Sequence, residues 1–276
     1  MELAIETKLY NRYVFKQKID RIYFADAFCQ NLIPSKKELE KAFKSSLDNG
    51  LQFTLNTPYV TNSGIKKILD NVEFLSKHTD FFEVVFNDWG IFYEIKKRFP
   101  KINLILGRLL TKQRTDPNAF PIIANQQKYD YIAQKYPKKL PKTMYTHFQG
   151  SVINDKLFQT YLVKNKIQRV ELEYLLWKMK IQLRYKIKAS VYYPYAHITT
   201  TRNCGLLNMT YSKCNKMCND TIIKYDDKNM YSPYFAIGNT VYYKITDISK
   251  LNEYNNTIDR LVFNDFEAYL KFNSLP

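Results

Sequence analysis

From residue 21 onward the chain alternates short apolar runs with amphipathic helical segments, a rhythm that restricts it to an α/β fold built on parallel strands. The first run is RIYFAD (21–26). The segment after it, SKKELEKAFKSSLDNG, carries its own punctuation: Ser35 as cap, Glu38 to complete a capping box, Leu39, Phe43 and Leu47 on one face, and Gly50 at the end. LQFTLN (51–56) is a second run. Asn62 then caps a helix in which Ile65, Ile68, Leu69, Val72 and Leu75 have the spacing of a buried stripe.

Further runs follow at FFEVVFND (81–88), INLILG (102–107), a weaker TMYTHFQG (143–150), QRVELEYL (168–175), IKASVYYPY (187–195) and DRLVFND (259–265). A short helix is expected at 128–136, another capped by Asn154 or Asp155, and a last one at FEAYLKF. Eight strands at this spacing predict an α/β (β/α)8 TIM-barrel-like fold, a single domain over residues 1–276. The long gap after strand seven reads as an insertion at about 197–258, with hairpin strands at 221–225 and 234–245. An open doubly wound sheet fits the same alternation, but the chain has no G-x-G-x-x-G or Walker pattern and only 7 glycines, too few for phosphate-cradling loops.

A hydrophobic content of 45% supplies a sizeable core. The first residues hold no signal-peptide run, and no stretch approaches the roughly 18 uncharged residues of a membrane helix, so a cytoplasmic protein without a transmembrane segment is expected. The net charge of +16 points to an acidic partner: RNA, an anionic membrane surface or an anionic small molecule.

Three of the four cysteines lie in CGLLNMTYSKCNKMC (204–218), and the fourth, Cys29, lies beyond the first apolar run. Disulfides are not expected in a reducing compartment, which leaves buried thiols, a catalytic thiol or metal ligands, and the clustering favours metal. In a parallel barrel the loops after the strands share one end, so Cys29 is able to meet Cys204, Cys214 and Cys218 there. Four thiolates suit zinc or an iron–sulfur cluster; the three-residue gap between Cys214 and Cys218 departs from the two-residue spacing common in zinc knuckles and favours the cluster.

This C-x9-C-x3-C group with a distant upstream cysteine resembles the collagenase-like peptidase family U-32, in particular its UbiU/UbiV-type iron–sulfur members. VVFNDWG (84–90), GSVINDKLFQTYLVKNKIQRVELEYLL (150–176) and YPYAHITTTRNC (193–204) are similar to segments of that family. The resemblance implies a barrel, a four-iron, four-sulfur cluster on Cys29, Cys204, Cys214 and Cys218, and a partner subunit of the same family. It also implies a place in oxygen-independent hydroxylation of a ubiquinone-type or other small molecule, or of tRNA or rRNA, with peptidase activity described for other members. Glu173 matches the family's strand glutamate.

For the chemistry itself, H-E-x-x-H and G-x-S-x-G are absent, which weighs against a peptidase. Candidate proton-transfer residues are Glu173, Asp88 and His147, and candidate substrate-binding residues are Arg108, Arg202, Tyr193 and Asn87. His147 and His197 are able to face one end of the barrel, although a structural role is the commoner fate of each. The carboxylates and arginines have an alternative, pairing with one another across the barrel mouth.

Overall fold

A computed structural model describes residues 1–119, 147–177, 179–206, 214–219, 221–228, 230–248 and 258–274. Within the first part, strands and helices alternate as β1 (Glu2–Thr7), α1 (Arg12–Phe15), β2 (Arg21–Phe24), α2 (Lys36–Asp48), β3 (Gln52–Thr57), α3 (Asn62–Ser76), β4 (Phe82–Phe86), α4 (Trp89–Arg98), β5 (Asn103–Leu106) and α5 (Arg108–Thr111). There follow α6 (Lys156–Lys164), β6 (Arg169–Glu173), β7 (Lys188–Tyr193), β8 (Tyr195–Thr200), β9 (Ile223–Tyr225), β10 (Tyr234–Ile237), β11 (Thr240–Lys244), β12 (Ile258–Phe263) and α7 (Phe266–Asn273).

Eight parallel strands close into a barrel in the order β1-β12-β7-β6-β5-β4-β3-β2, the (β/α)8 architecture read from the alternation. The count of eight holds for a reason the sequence reading did not contain. RIYFAD is the second strand; the first is ELAIET at the start of the chain. In TMYTHFQG, residues 147–149 are helical and 143–146 lie outside the described residues, as does the helix expected at 128–136. One missed strand and one surplus strand cancelled, so the long insertion does follow the seventh barrel strand.

The helix starts are set locally. Ser35 and Glu38 form the expected capping box, Asp155 caps α6, and Gly50 adopts a φ of +67° after α2. At α3 the cap is Thr61 rather than Asn62, and on α2 Leu47 faces solvent while Ala42 and Ser46 join Leu39 and Phe43 in the buried stripe. No helix among the described residues is long and apolar enough to cross a membrane.

The barrel interior is stratified. Its middle layer is apolar and aromatic, made by Ala4, Tyr23, Val85, Ile105, Tyr192 and Val262. Beneath it, toward the strand N-termini, Arg260 reaches Glu2 at 2.7 Å and Glu83 at 2.8 Å, and Arg21 reaches the same two carboxylates. Above it, toward the C-termini, a second polar layer begins at Glu6, Arg108 and Glu173. The insertion contributes a four-stranded antiparallel sheet in the order β8-β11-β10-β9, which packs Tyr242 against Ala27 and Phe28 of the loop after β2.

Candidate active site at the barrel mouth

Arg108 organises the upper polar layer. It sits directly after β5, where Gly107 is required because a side chain there would collide with the Asn87 amide. Its guanidinium is buried, lies 3.6 Å from the centre of the Tyr192 ring and bridges two carboxylates, Glu6 at 3.2 Å and Glu173 at 3.3 Å. Burial alone would lower the affinity of this guanidinium for its proton, and Glu173 and Glu6 overcome that and raise it. The pairing of arginine with carboxylates across the mouth is therefore realised at Arg108, and this residue has no free charge for an anionic ligand.

Glu6 pays for that arrangement in acidity: burial pushes its carboxyl up to about 7, opposed by Arg108 and reinforced by Asp26. Asp26 behaves oppositely. Burial would raise it, but Lys8 at 2.7 Å and the backbone N–H groups of Phe28 and Cys29 hold it below the usual range.

Glu173 is wholly buried and takes its position from Gln113, whose side chain hydrogen bonds to both the N–H and the carbonyl of residue 173. That amide extends the ladder where β5 and β6 share one register pair, Leu106 with Val170. The same carboxylate oxygen that meets Arg108 meets Nδ1 of His197 at 2.5 Å. His197 stands on β8, its ring packed 5.0 Å from that of Phe28, and it lines a cavity of about 410 Å³ together with Tyr59, Asn87, Arg108, Leu109 and Gln113.

The structure thus gathers Arg108 and Asn87 at one cavity, keeps Glu173 buried behind Arg108 and His197, and leaves Arg202 exposed 5.6 Å from the Tyr59 ring centre. Asn87 is committed to structure as well, accepting from Leu109 N–H and donating to the Thr57 carbonyl. Three other candidates lie elsewhere. Asp88 caps α4, accepting from Gly90 and Ile91 N–H. His147 is exposed and accepts a hydrogen bond from Arg114. Tyr193 packs against Tyr174 and Phe263 outside the barrel, because successive residues of a strand point to opposite faces; its neighbour Tyr192 is the one inside. Sequence reasoning missed Glu6 and Tyr192, and nothing in the local sequence pairs His197 with Glu173.

The four cysteines lie at the same end. Cys29 follows β2, and the turn between β10 and β11 of the insertion joins its loop to the segment after β8: Asn239 donates to the carbonyls of Phe28 (2.9 Å) and Thr201 (2.7 Å). Gly238 beside it has a φ of +64°, and a Cβ there would come within 3.1 Å of the Cys218 side chain. Burial pushes the Cys29 thiol up to about 12, with Asp26 adding to the shift and Cys218 and Cys214 contributing less. Burial also raises Cys218, opposed by Lys8 and reinforced by Asp26, with Cys204 and Cys214 contributing less. Among the described residues no three His, Cys, Asp or Glu side chains converge on one metal-binding point. A recess of about 20 Å³ between Cys204, Cys214 and Cys218 is small, and the donor set of four thiols fits a soft metal centre.

No family model matches the chain, and no curated protein matches it. Among solved structures it is similar to a glycoside hydrolase family 18 N-acetylglucosaminidase from Paenibacillus barengoltzii, with 9% identity over 95% of this chain and 94% of that chain and a TM-score of 0.36. It is also similar to an immunomodulatory chitinase from Trichuris suis (12%, 95% and 91%, 0.36) and to a family 18 chitinase from Cycas revoluta (9%, 95% and 94%, 0.34). Identities and TM-scores this low do not carry an activity across.

Proposed function

We propose that the protein is an iron–sulfur barrel protein of the U-32 type, working in oxygen-independent hydroxylation of a small molecule, with a partner subunit of the same family. What supports the reading is the C-x9-C-x3-C group with Cys29 175 positions upstream of its first cysteine, together with two contacts that join the Cys29 loop to the insertion: Asn239 bonded to the Phe28 carbonyl and Gly238 packed on Cys218. Cys29, Cys204, Cys214 and Cys218 would hold a four-iron, four-sulfur cluster. Such a group, with every iron bound by cysteine, supplies electron transfer rather than an open coordination site. The chain's own residues have other tasks: Lys8 balances Asp26 beside Cys29, and Arg108 fixes Glu173 and Glu6 beneath the cavity.

The test is anaerobic purification with iron, acid-labile sulfide and zinc analysis. About four irons and four sulfides per chain are expected, whereas one zinc without sulfide would make the insertion a structural clasp and remove the redox reading.

A second reading, action on RNA, is favoured by one surface. Lys156, Lys164, Lys166, Arg184, Lys186 and Lys188 are exposed, and the loop before β7 lies along α6 through the bond from Gln159 to the Gln182 carbonyl. The exposed Tyr185 stands among these charges. Binding of a single-stranded RNA that weakens steeply between 50 and 200 mM salt, roughly 10³-fold for about six phosphate contacts, would favour this substrate class over a small molecule.

A further inference from the structure

We infer that His197 and Glu173 form a proton-transfer dyad at the barrel mouth, with His197 Nε2 as the general base and an uncharged small molecule bearing a hydroxyl or carbonyl as its substrate. The inference does not rest on the cysteines, because the dyad is built from β6 and β8 and would operate in a chain without metal.

Three observations carry it. The first is orientation. Glu173, buried and locked by Gln113 and Arg108, takes Nδ1 of His197, and a carboxylate on one ring nitrogen fixes the ring's orientation and the tautomer in which the other nitrogen, Nε2, carries the lone pair. Among the described residues Nε2 has no hydrogen-bond partner. The other two histidines differ: Nδ1 of His78 bonds the Phe74 carbonyl, and Nε2 of His147 accepts from Arg114.

The second is location. His197 lines the cavity of about 410 Å³ at the C-terminal end of the barrel, the end at which enzymes of this architecture place their chemistry.

The third is the polarity of the floor. Beneath the cavity Lys8 offsets Asp26, while the single charge of Arg108 faces two carboxylates, Glu173 and Glu6, so the floor carries no surplus positive charge to hold an anion. Among the described residues Arg108 Nε and the Tyr59 hydroxyl, both on residues that line the cavity, are buried without a partner, as is Oε2 of Glu173, the residue bonded to His197. Buried polar atoms are nearly always satisfied, so this concentration marks ground that is completed by polar groups able both to donate and to accept. A carboxylate or phosphate only accepts and would be repelled by Glu173; a hydroxyl does both.

The step is a simple transfer. The substrate's O–H or C–H proton passes to Nε2, the bonding pair stays on the substrate, and the imidazolium keeps its Nδ1–H on the Glu173 carboxylate.

The test uses 5-nitrobenzisoxazole, an uncharged ring that reports base strength directly. A base removes its carbon-bound proton, the C–H pair forms a nitrile, and the N–O bond breaks to give a coloured phenolate. The intact protein is expected to exceed free 4-methylimidazole at equal concentration by about 100-fold, at the low end of general-base gains. His197→Gln should fall to background with its circular dichroism unchanged, and His78→Gln should keep the full rate. Glu173→Gln should move the midpoint of the pH–rate profile to lower pH, which a merely structural glutamate would not do. A wild-type rate no higher than 4-methylimidazole, or an unchanged rate in His197→Gln, would overturn the dyad. A negatively charged benzisoxazole carboxylate turned over faster than the neutral ring would overturn the assignment of an uncharged substrate. Metal analysis of the same sample scores the cluster separately.

Discussion

Glu6 makes the electrostatics of the mouth measurable. Its carboxyl titrates near 7 in the folded state against an ordinary value of 4.5, so between those limits the native chain holds a proton that the unfolded chain has released. The stability it contributes is present below about pH 4.5 and is lost as pH rises through about 7, an effect on the order of 3 kcal/mol. Glu171 is shifted in the same direction by burial. Urea unfolding at pH 5 and pH 8 should show a wild type less stable at the higher pH, and Glu6→Gln should remove most of that difference while retaining an oxygen for Arg108 and Asn56. A pH difference unaffected by the substitution would place the buried proton elsewhere. Cysteine behaves as an all-or-none group in the same account. Cys29→Ser is expected to lose iron and sulfide as completely as Cys214→Ser, despite its remoteness in sequence, and full retention in the Cys29 variant would dissolve the cross-barrel arrangement.

Elements show where sequence was legible and where it was not. The α2 capping box could be read outright because its signal is local, and Ser35→Ala should cost about 1 kcal/mol in thermal or urea unfolding. β1 escaped notice because this barrel has a polar interior at both ends. Its inward residues are Glu2, Ala4 and Glu6, so ELAIET shows charges where a buried strand is expected to show branched aliphatics. The sequence reading names Tyr193 where its neighbour Tyr192 faces inward, because the parity of β7 is set by its pairing with β6 and β12 and not by its own residues. Tertiary pairs such as Glu173 with His197 carry no local signal at all. The β10–β11 turn is a further example: Gly238→Ala meets both a left-handed φ and the Cys218 side chain, and should cost about 1–2 kcal/mol and lower the metal content. A variant of unchanged stability and metal content would remove the turn from any role in seating Cys218.

At the scale of the molecule, the fold divides the barrel into two polar ends joined by an apolar middle, and the ends differ in use. The lower end is closed by Arg260, Arg21, Glu2 and Glu83, a network with exacting geometry and little access. Arg260→Met would leave Glu2 and Glu83 short of a buried counter-charge and should destabilise by about 3–5 kcal/mol without touching the mouth. The upper end opens onto the cavity, the His197–Glu173 pair and the cysteine-bearing insertion. The barrel was legible because alternation of strands and helices is a long-range rhythm repeated many times. The division of labour was not, because it depends on which polar residues of eight separate strands face inward at the same height. The account as a whole turns on whether four distant thiols serve one centre, and the direct measurement is iron, acid-labile sulfide and zinc in protein purified without oxygen. The account predicts about four irons and four sulfides per chain, lost together in Cys29→Ser; metal-free protein, or zinc alone, would contradict it.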